Sequence, residues 1–228
     1  RSFTSLDLEP GDIHQTGLET IAALEDEYRE LGSEVFGTSD LQTVYSRMKD
    51  DPQLRFQKAA EVVAASQAAL EKGKAAMGDW FGRLPKADCL VSTVEQGPEA
   101  FNYPPAPDGS RPGIFFMNVA DPSSWTTNGI EATVFHEGIP GHHLQLAIAQ
   151  ELDDVPEFRK HSVVTAYAEG WGLYTERLSD EMGMYGSPLD RLGMLAADSM
   201  RATRLVVDTG MHALGWSRQE ALDYALAN

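Results

Sequence analysis

Cysteine occurs once in the chain, at Cys89. A lone thiol excludes an internal disulfide, a CxxC redox pair and a thiolate metal cluster, and leaves Cys89 as a small core residue. Positive charge is also scarce: 18 Lys and Arg stand against 35 Asp and Glu, a formal net charge of −17. That balance argues against nucleic acid or an anionic membrane surface as a partner. No apolar run approaches the roughly 18–20 residues that cross a bilayer, and the amino end lacks the basic-then-apolar pattern of a secretory signal. Internal repeats, low-complexity tracts and Gly-rich phosphate loops are missing. So is the G-x-S-x-G turn of the serine hydrolases.

What remains is an ordinary globular composition, 42% hydrophobic and 23% charged over 228 residues, enough for one sizeable core and a single domain spanning 1–228. The chain begins at Arg1 without a methionine and stops at Asn228 inside a helical pattern, so it is expected to be a piece of a longer protein. Residues 1–84 read as a helical packing segment. Apolar residues at helical spacing predict helices over 10–32 (N-cap Asp12, stop at Gly32), over Asp40 to Lys49, and over 53–81. Residues 85–228 read as a small sheet plus the helices that carry the chemistry. Cys89 to Val94 and Gly113 to Val119 are the predicted strands, with a Pro-rich turn at 103–109 between them. Further helices are predicted from Asn128 to Leu152, from His161 through Tyr174, from Leu189 to Leu214 and from Arg218 to Ala227. The expected fold is mainly α with a small β-sheet, an α+β class.

The chemistry concentrates in His136-Glu137-Gly138-Ile139-Pro140-Gly141-His142-His143, which holds half of the six histidines. A metallohydrolase requires a few His or carboxylate ligands, an open position for water and a carboxylate beside it as base. The usual H-E-x-x-H spacing is absent, because the second histidine follows six or seven positions after the first. At about 100° per residue, i+7 returns to the starting face and i+6 does not unless the helix is bulged. Pro140 and Gly141 supply the means to bulge or kink it, so both His142 and His143 stay open as ligands. Glu169, in an otherwise apolar helical run from Val163 to Tyr174, is the third candidate, because a carboxylate is rarely buried without a partner or a metal. The competing explanation is an ion pair with Arg177 or Arg201. His14 and His161 read as surface residues. Tyr167 and Tyr174 are candidate hydrogen-bond donors near the site.

Four strings, HEGIPGHHLQ at 136–145, AYAEGWGLYTERL at 166–178, RATRLVVDTGMHALGWSRQEAL at 201–222 and NYPPAPDGSRPGIFFMNV at 102–119, resemble the DUF885 family, bacterial proteins placed with the gluzincin-type zinc peptidases. The resemblance implies a helical zincin-like metallopeptidase fold in which His136, His142 and Glu169 hold Zn2+ and Glu137 activates the water. It also gives a role to the strand before the site helix. Peptidases of this kind commonly hold substrate as an added strand, so Gly113–Val119 is the expected edge, with Asn118 among the substrate-binding residues. On the last long helix Arg201, Arg204, Asp208 and His212 are spaced by three, four and four and share one face. The bland explanation is an exposed Arg-Asp pair. Facing the cleft instead, Arg201 or Arg204 would take a substrate carboxylate and His212, oriented by Asp208, would stabilise the oxyanion.

The expected function is therefore a zinc metallopeptidase acting on a peptide substrate. The alternatives are a catalytically silent metal-containing protein that captures peptides or a partner, and a hydrolase of non-peptide amides or esters. The compartment is open. The cytoplasm is the default, with export expected if a signal segment precedes this stretch.

Overall fold

A computed structural model describes residues 4–228; Arg1–Phe3 lie outside the described residues, and with them the first positions of the predicted packing segment. The chain is mainly helical with one three-stranded sheet. In order it runs α1 (Pro10–Phe36), α2 (Leu41–Asp50), α3 (Ala59–Trp80), β1 (Cys89–Val94), β2 (Ala100–Tyr103), β3 (Gly113–Asn118), α4 (Ile130–Glu137), α5 (His142–Gln150), α6 (Glu157–His161), α7 (Thr165–Glu181), α8 (Pro188–Ala213) and α9 (Arg218–Ala227).

Two apolar clusters hold these elements together. Ile21, Leu24, Tyr28 and Leu31 of α1 pack on Val44 and Met48 of α2 and on Leu192, Leu195 and Ala202 of α8. Each such side chain removed from water contributes about 1.5–3 kcal/mol. The second cluster joins Val62, Leu70 and Met77 of α3, Phe115 and Met117 of β3, and Val134 and Phe135 of α4. The site lies on the second cluster, and α8 links it to the first.

Several boundaries differ from the sequence expectation. α1 does not stop at Gly32, which is buried inside it where a Cβ would overlap the Val44 side chain. The stop is Gly37, in the left-handed region at φ 71°, where a side chain is disfavoured. α1 begins with Pro10 in its first turn after Glu9, not with Asp12 as cap. Phe56 precedes α3, its N–H bonded to Trp125 O at 3.2 Å. The predicted helix from Asn128 to Leu152 is two helices, separated by Gly138–Gly141 with a cis Ile139–Pro140 peptide. His161 ends the short α6 and does not open α7.

The sheet order is β1-β3-β2, with β1 parallel and β2 antiparallel to β3. This corrects the expected role of Gly113–Val119. β3 is the central strand, paired on both sides, so no substrate strand can add to it. The free edges belong to β1 and to β2, a four-residue strand too short, between Pro98 and Pro104, to stand out as a pattern. Asn118 N–H donates to Glu99 O at 2.8 Å, which fixes the phase of the β2 ladder. Phe101 then exchanges bonds with Phe116, while Ala100 and Asn102 turn their N–H and C=O groups outward. Among the described residues no helix is long and apolar enough to cross a membrane.

Candidate metal centre

α4 ends on Glu137 because the next four residues cannot continue it. The Gly141 backbone comes so close to the end of α4 that a Cβ there would overlap the His136 carbonyl. The break is tied across by His143 N–H to Gly138 O at 3.0 Å. α7 tethers it from the side: Trp171 Nε1 donates to Pro140 O at 3.0 Å, and Thr175 Oγ1 donates to Phe135 O at 3.2 Å. The offset turns His142, six positions after His136, back toward it. Their rings meet edge to face at 4.7 Å.

His136, His142 and Glu169 each present a ligand atom, and the three lie within 4.8 Å of one another. His136 Nε2 is 3.8 Å from one Glu169 carboxylate oxygen and His142 Nε2 is 3.9 Å from the other. The structure separates the two adjacent histidines. His143 points the opposite way, its Nε2 donating to Ala87 O at 3.0 Å and its ring lying over Gly113. Glu169 is not the buried carboxylate that the sequence reading supposed. Its side chain is 63% exposed, and neither Arg177 nor Arg201 pairs with it. Arg177 binds Glu27 and Asp198, each at 2.7 Å.

The buried carboxylate is Glu176, two turns further along α7 and 1% exposed. Its Oε1 accepts from His136 Nδ1 at 2.7 Å and from Arg201 at 2.7 Å, and its Oε2 accepts from Arg201 Nη1 at 3.2 Å. Arg201 also lies 3.1 Å from His136 Nδ1. Two donors cannot bond each other, so that approach follows from both converging on one oxygen. With Nδ1–H given to Glu176, the Nε2 edge of His136 faces His142 and Glu169. His142 is held more lightly, its Nδ1 3.5 Å from Gln145 Oε1, while Gln145 Nε2 donates to Tyr167 O at 3.1 Å. Burial and the neighbouring His136 push the His142 pKa below that of free imidazole, although the Glu169 charge opposes them.

Glu137 stands beside this trio. Burial raises its carboxyl above the usual carboxylate range, and the Glu169 charge adds to that. His136, the outward N–H of Asn102 and Arg201 pull the other way. The side-chain amide of Asn102 is itself buried without a hydrogen-bond partner.

The other predicted site residues sit elsewhere. Arg201 is bound to Glu176 and is not free for a substrate carboxylate. Arg204 opens onto a separate groove of about 570 Å3 with Tyr28, Tyr45 and Asn128. His212 pairs with Asp208 at 3.6 Å, both side chains 73% exposed. It stands eleven residues beyond Arg201, a rise of about 16 Å along α8, which takes it out of reach as an oxyanion donor. Asn118 Nδ2 donates to Gly97 O at 3.1 Å and its Oδ1 accepts from Ala120 N–H at 3.1 Å, so its side chain organises a turn. Tyr167 and Tyr174 are exposed.

One position fixing His136 left no hydrophobic signal. At Gly172 a Cβ would come within 2.5 Å of the His136 ring. Gly172→Ala is expected to displace that ring and weaken metal binding by about tenfold or more, with a stability loss of about 1–3 kcal/mol from overpacking. Metal titration and thermal denaturation of the variant check both.

The fold and the three convergent ligands define a mainly helical α+β protein with a two-histidine, one-carboxylate candidate metal centre. The chain matches, over residues 1–228, the family described as bacterial protein of unknown function, DUF885, and it belongs to that family. No curated protein matches it. A lipoprotein candidate from Colwellia psychrerythraea shares its structure with a TM-score of 0.90 at 30% identity, over 98% of this chain and 40% of that one. A second, from Shewanella oneidensis and of unknown function, superposes with a TM-score of 0.75 at 17% identity, over 97% of this chain and 46% of that one. The chain therefore spans less than half the length of these two relatives.

Proposed function

We propose that this chain carries the zinc centre of a hydrolase, and that the bond it cleaves is a peptide bond. The observation that carries the proposal is the convergence of His136, His142 and Glu169 with Glu137 beside them. The donor set fits zinc: two imidazole Nε2 atoms and one carboxylate form the ligand set of a catalytic site that keeps its fourth position open. Ligand atoms around a tetrahedral zinc stand about 3.4 Å apart, so a trio whose ligand atoms lie within 4.8 Å of one another closes on the ion by a contraction of up to about 1.4 Å. Glu169, exposed and unbraced, is the ligand that moves.

Zinc bound there supplies Lewis acidity toward water and the scissile carbonyl. The residues of the chain do the rest. Glu137 takes a proton on its carboxylate from the attacking water and delivers it to the leaving amine. Its burial favours that role, because it brings the pKa closer to neutrality. Glu176 fixes the His136 ring, and Arg201 neutralises Glu176. The substrate backbone pairs with the outward groups of Ala100 and the Asn102 carbonyl on the edge of β2, the Asn102 N–H being held by Glu137, and β2 takes the place first given to β3. The likeness to lipoprotein candidates favours an exported or membrane-anchored setting over the cytoplasm.

The testing experiment is elemental analysis of purified chain beside His136→Ala and Glu169→Ala, followed by a peptide panel on the zinc-loaded parent. About one zinc per chain that is lost in both variants, together with cleavage of at least one peptide, is expected. A parent that takes up no zinc at neutral pH sinks the proposal. A parent that holds zinc and binds peptides without cleaving them favours the silent binding protein, and cleavage confined to non-peptide amides or esters moves the substrate class.

A further inference from the structure

A cavity of about 150 Å3 opens beside the metal trio, between α5, α6 and the start of α7. Its walls include Pro104, Gln145, Arg159, Lys160, His161 and Tyr167, and none of its lining residues carries a carboxylate. In a chain with about twice as many acidic as basic residues, three basic side chains around one hollow without an acid are a local reversal of charge. The neighbouring hollow by β1 carries both signs, with Asp88, Glu151 and Asp153 in its walls beside Lys86 and Arg111.

Two of the three basic side chains are already answered. Lys160 Nζ bonds Glu157 at 2.6 Å, and His161 Nε2 is 3.9 Å from the same carboxylate. Arg159 has neither an ion pair nor a side-chain hydrogen bond among the described residues. Its planar fork of donors suits a carboxylate, which it can take two-pronged.

The position of the cavity says which part of a ligand would reach it. Gln145 in its wall is the residue that touches His142 and Tyr167 O. Pro104 follows directly on β2, two residues past Asn102, whose outward N–H faces Glu137. A chain paired along β2 at Asn102 advances about 6–7 Å in those two residues and arrives at the cavity mouth.

We infer that this cavity is a carboxylate subsite, in which Arg159 selects substrates carrying a negative charge about two residues from the bond under attack. It rests on the reading of β2 as the substrate edge given above. The carboxylate comes either from a free carboxyl terminus or from an Asp or Glu side chain. Arg159 is a specificity residue and touches no reacting atom.

Binding is read by calorimetry on zinc-loaded Glu137→Gln chain, which removes cleavage from the measurement. The probes are acetylated tetra-alanine as the free acid, the same peptide amidated, and amidated peptides with one Glu moved along the four positions. The acid is expected to bind about tenfold more tightly than the amide. Arg159→Gln abolishes that difference and Arg159→Lys restores part of it. The Glu series assigns the source: one position recovering the acid's affinity marks a side-chain carboxylate, and none marks the terminus. The subsite is overturned if neither the acid nor any peptide of the Glu series binds more tightly than the amidated tetra-alanine, or if the preference for a carboxylate survives Arg159→Gln. Turnover of the amidated peptide by the zinc-loaded parent is scored separately. Cleavage without charge preference sinks the subsite alone, and Arg159-dependent binding without cleavage sinks hydrolysis alone.

Discussion

Glu137→Gln is expected to lower turnover by about 10²–10⁴-fold while bound zinc stays at the parental stoichiometry. The two halves of that result have separate causes. Glu137 is adjacent in sequence to His136 but is absent from the trio whose ligand atoms converge, so neutralising it removes no ligand. A glutamine of the same shape still accepts from the Asn102 N–H that faces the carboxylate. What is lost is the capacity to take up a proton and return it. Steady-state kinetics beside metal analysis on one preparation read both halves. Parental turnover in the variant would remove Glu137 from the chemistry, and loss of zinc would make it a ligand or a structural support.

How far the site was legible in the sequence depends on what kind of pattern encodes each residue. The convergence of His136 and His142, with Glu137 beside them, was legible because the three residues lie in one short string. The Pro-Gly insertion announced that the helix could not run straight through it. The choice between His142 and His143 was not legible from the helix period, which favours i+7, because the chain does not bulge one helix but ends it at Glu137 and starts another at His142. Glu169 was singled out on an argument about burial that holds for Glu176 instead. The buried face of α7 is Ala168, Gly172, Thr175, Glu176, Leu178 and Ser179, small and polar because it packs closely against α4 and the His136 ring. A search for apolar residues at helical spacing fixes on Trp171 and Tyr174, half-buried and exposed, and passes over that face.

The remaining differences concern distance and pairing. The Arg201-to-His212 stripe shares one side of α8, but angular periodicity carries no information about rise, and the stripe is about 16 Å long. Its first residue faces His136 and its last faces solvent. The strands β1 and β3 were legible from their β-branched and aromatic content. Their order in the sheet was not, since which strand lies at an edge is decided by the intervening β2. The helices were largely legible in kind and shifted at their ends. Gly32 and Gly37 show why: one glycine permits a close crossing by α2 and the other ends α1, and the two needs select the same residue.

Glu176 leads to the last expected result. Glu176→Leu leaves the Arg201 guanidinium against an apolar side chain and His136 Nδ1 without its acceptor. Breaking a fully buried pair costs about 3–5 kcal/mol. Here Arg201 keeps 26% of its side-chain surface in water and can turn toward it, so about 2–3 kcal/mol is expected. Zinc affinity should fall about 10–100-fold, because the imidazole loses the bond that fixes its ring and tautomer. The two effects separate in a double variant. Arg201→Met added to Glu176→Leu removes the stranded charge, so most of the lost stability returns, but it supplies no acceptor for Nδ1 and the zinc affinity stays low. Denaturant melts of metal-free protein read the first quantity and competitive zinc titration reads the second. Glu176→Gln completes the set: its amide oxygen can still accept from Nδ1–H while its amide nitrogen meets Arg201 as donor against donor. It should keep more zinc affinity than Glu176→Leu and recover less stability on adding Arg201→Met. If both quantities moved together through all these variants, Glu176 would be acting on the metal only through the fold. Separate movement makes it the residue that positions His136.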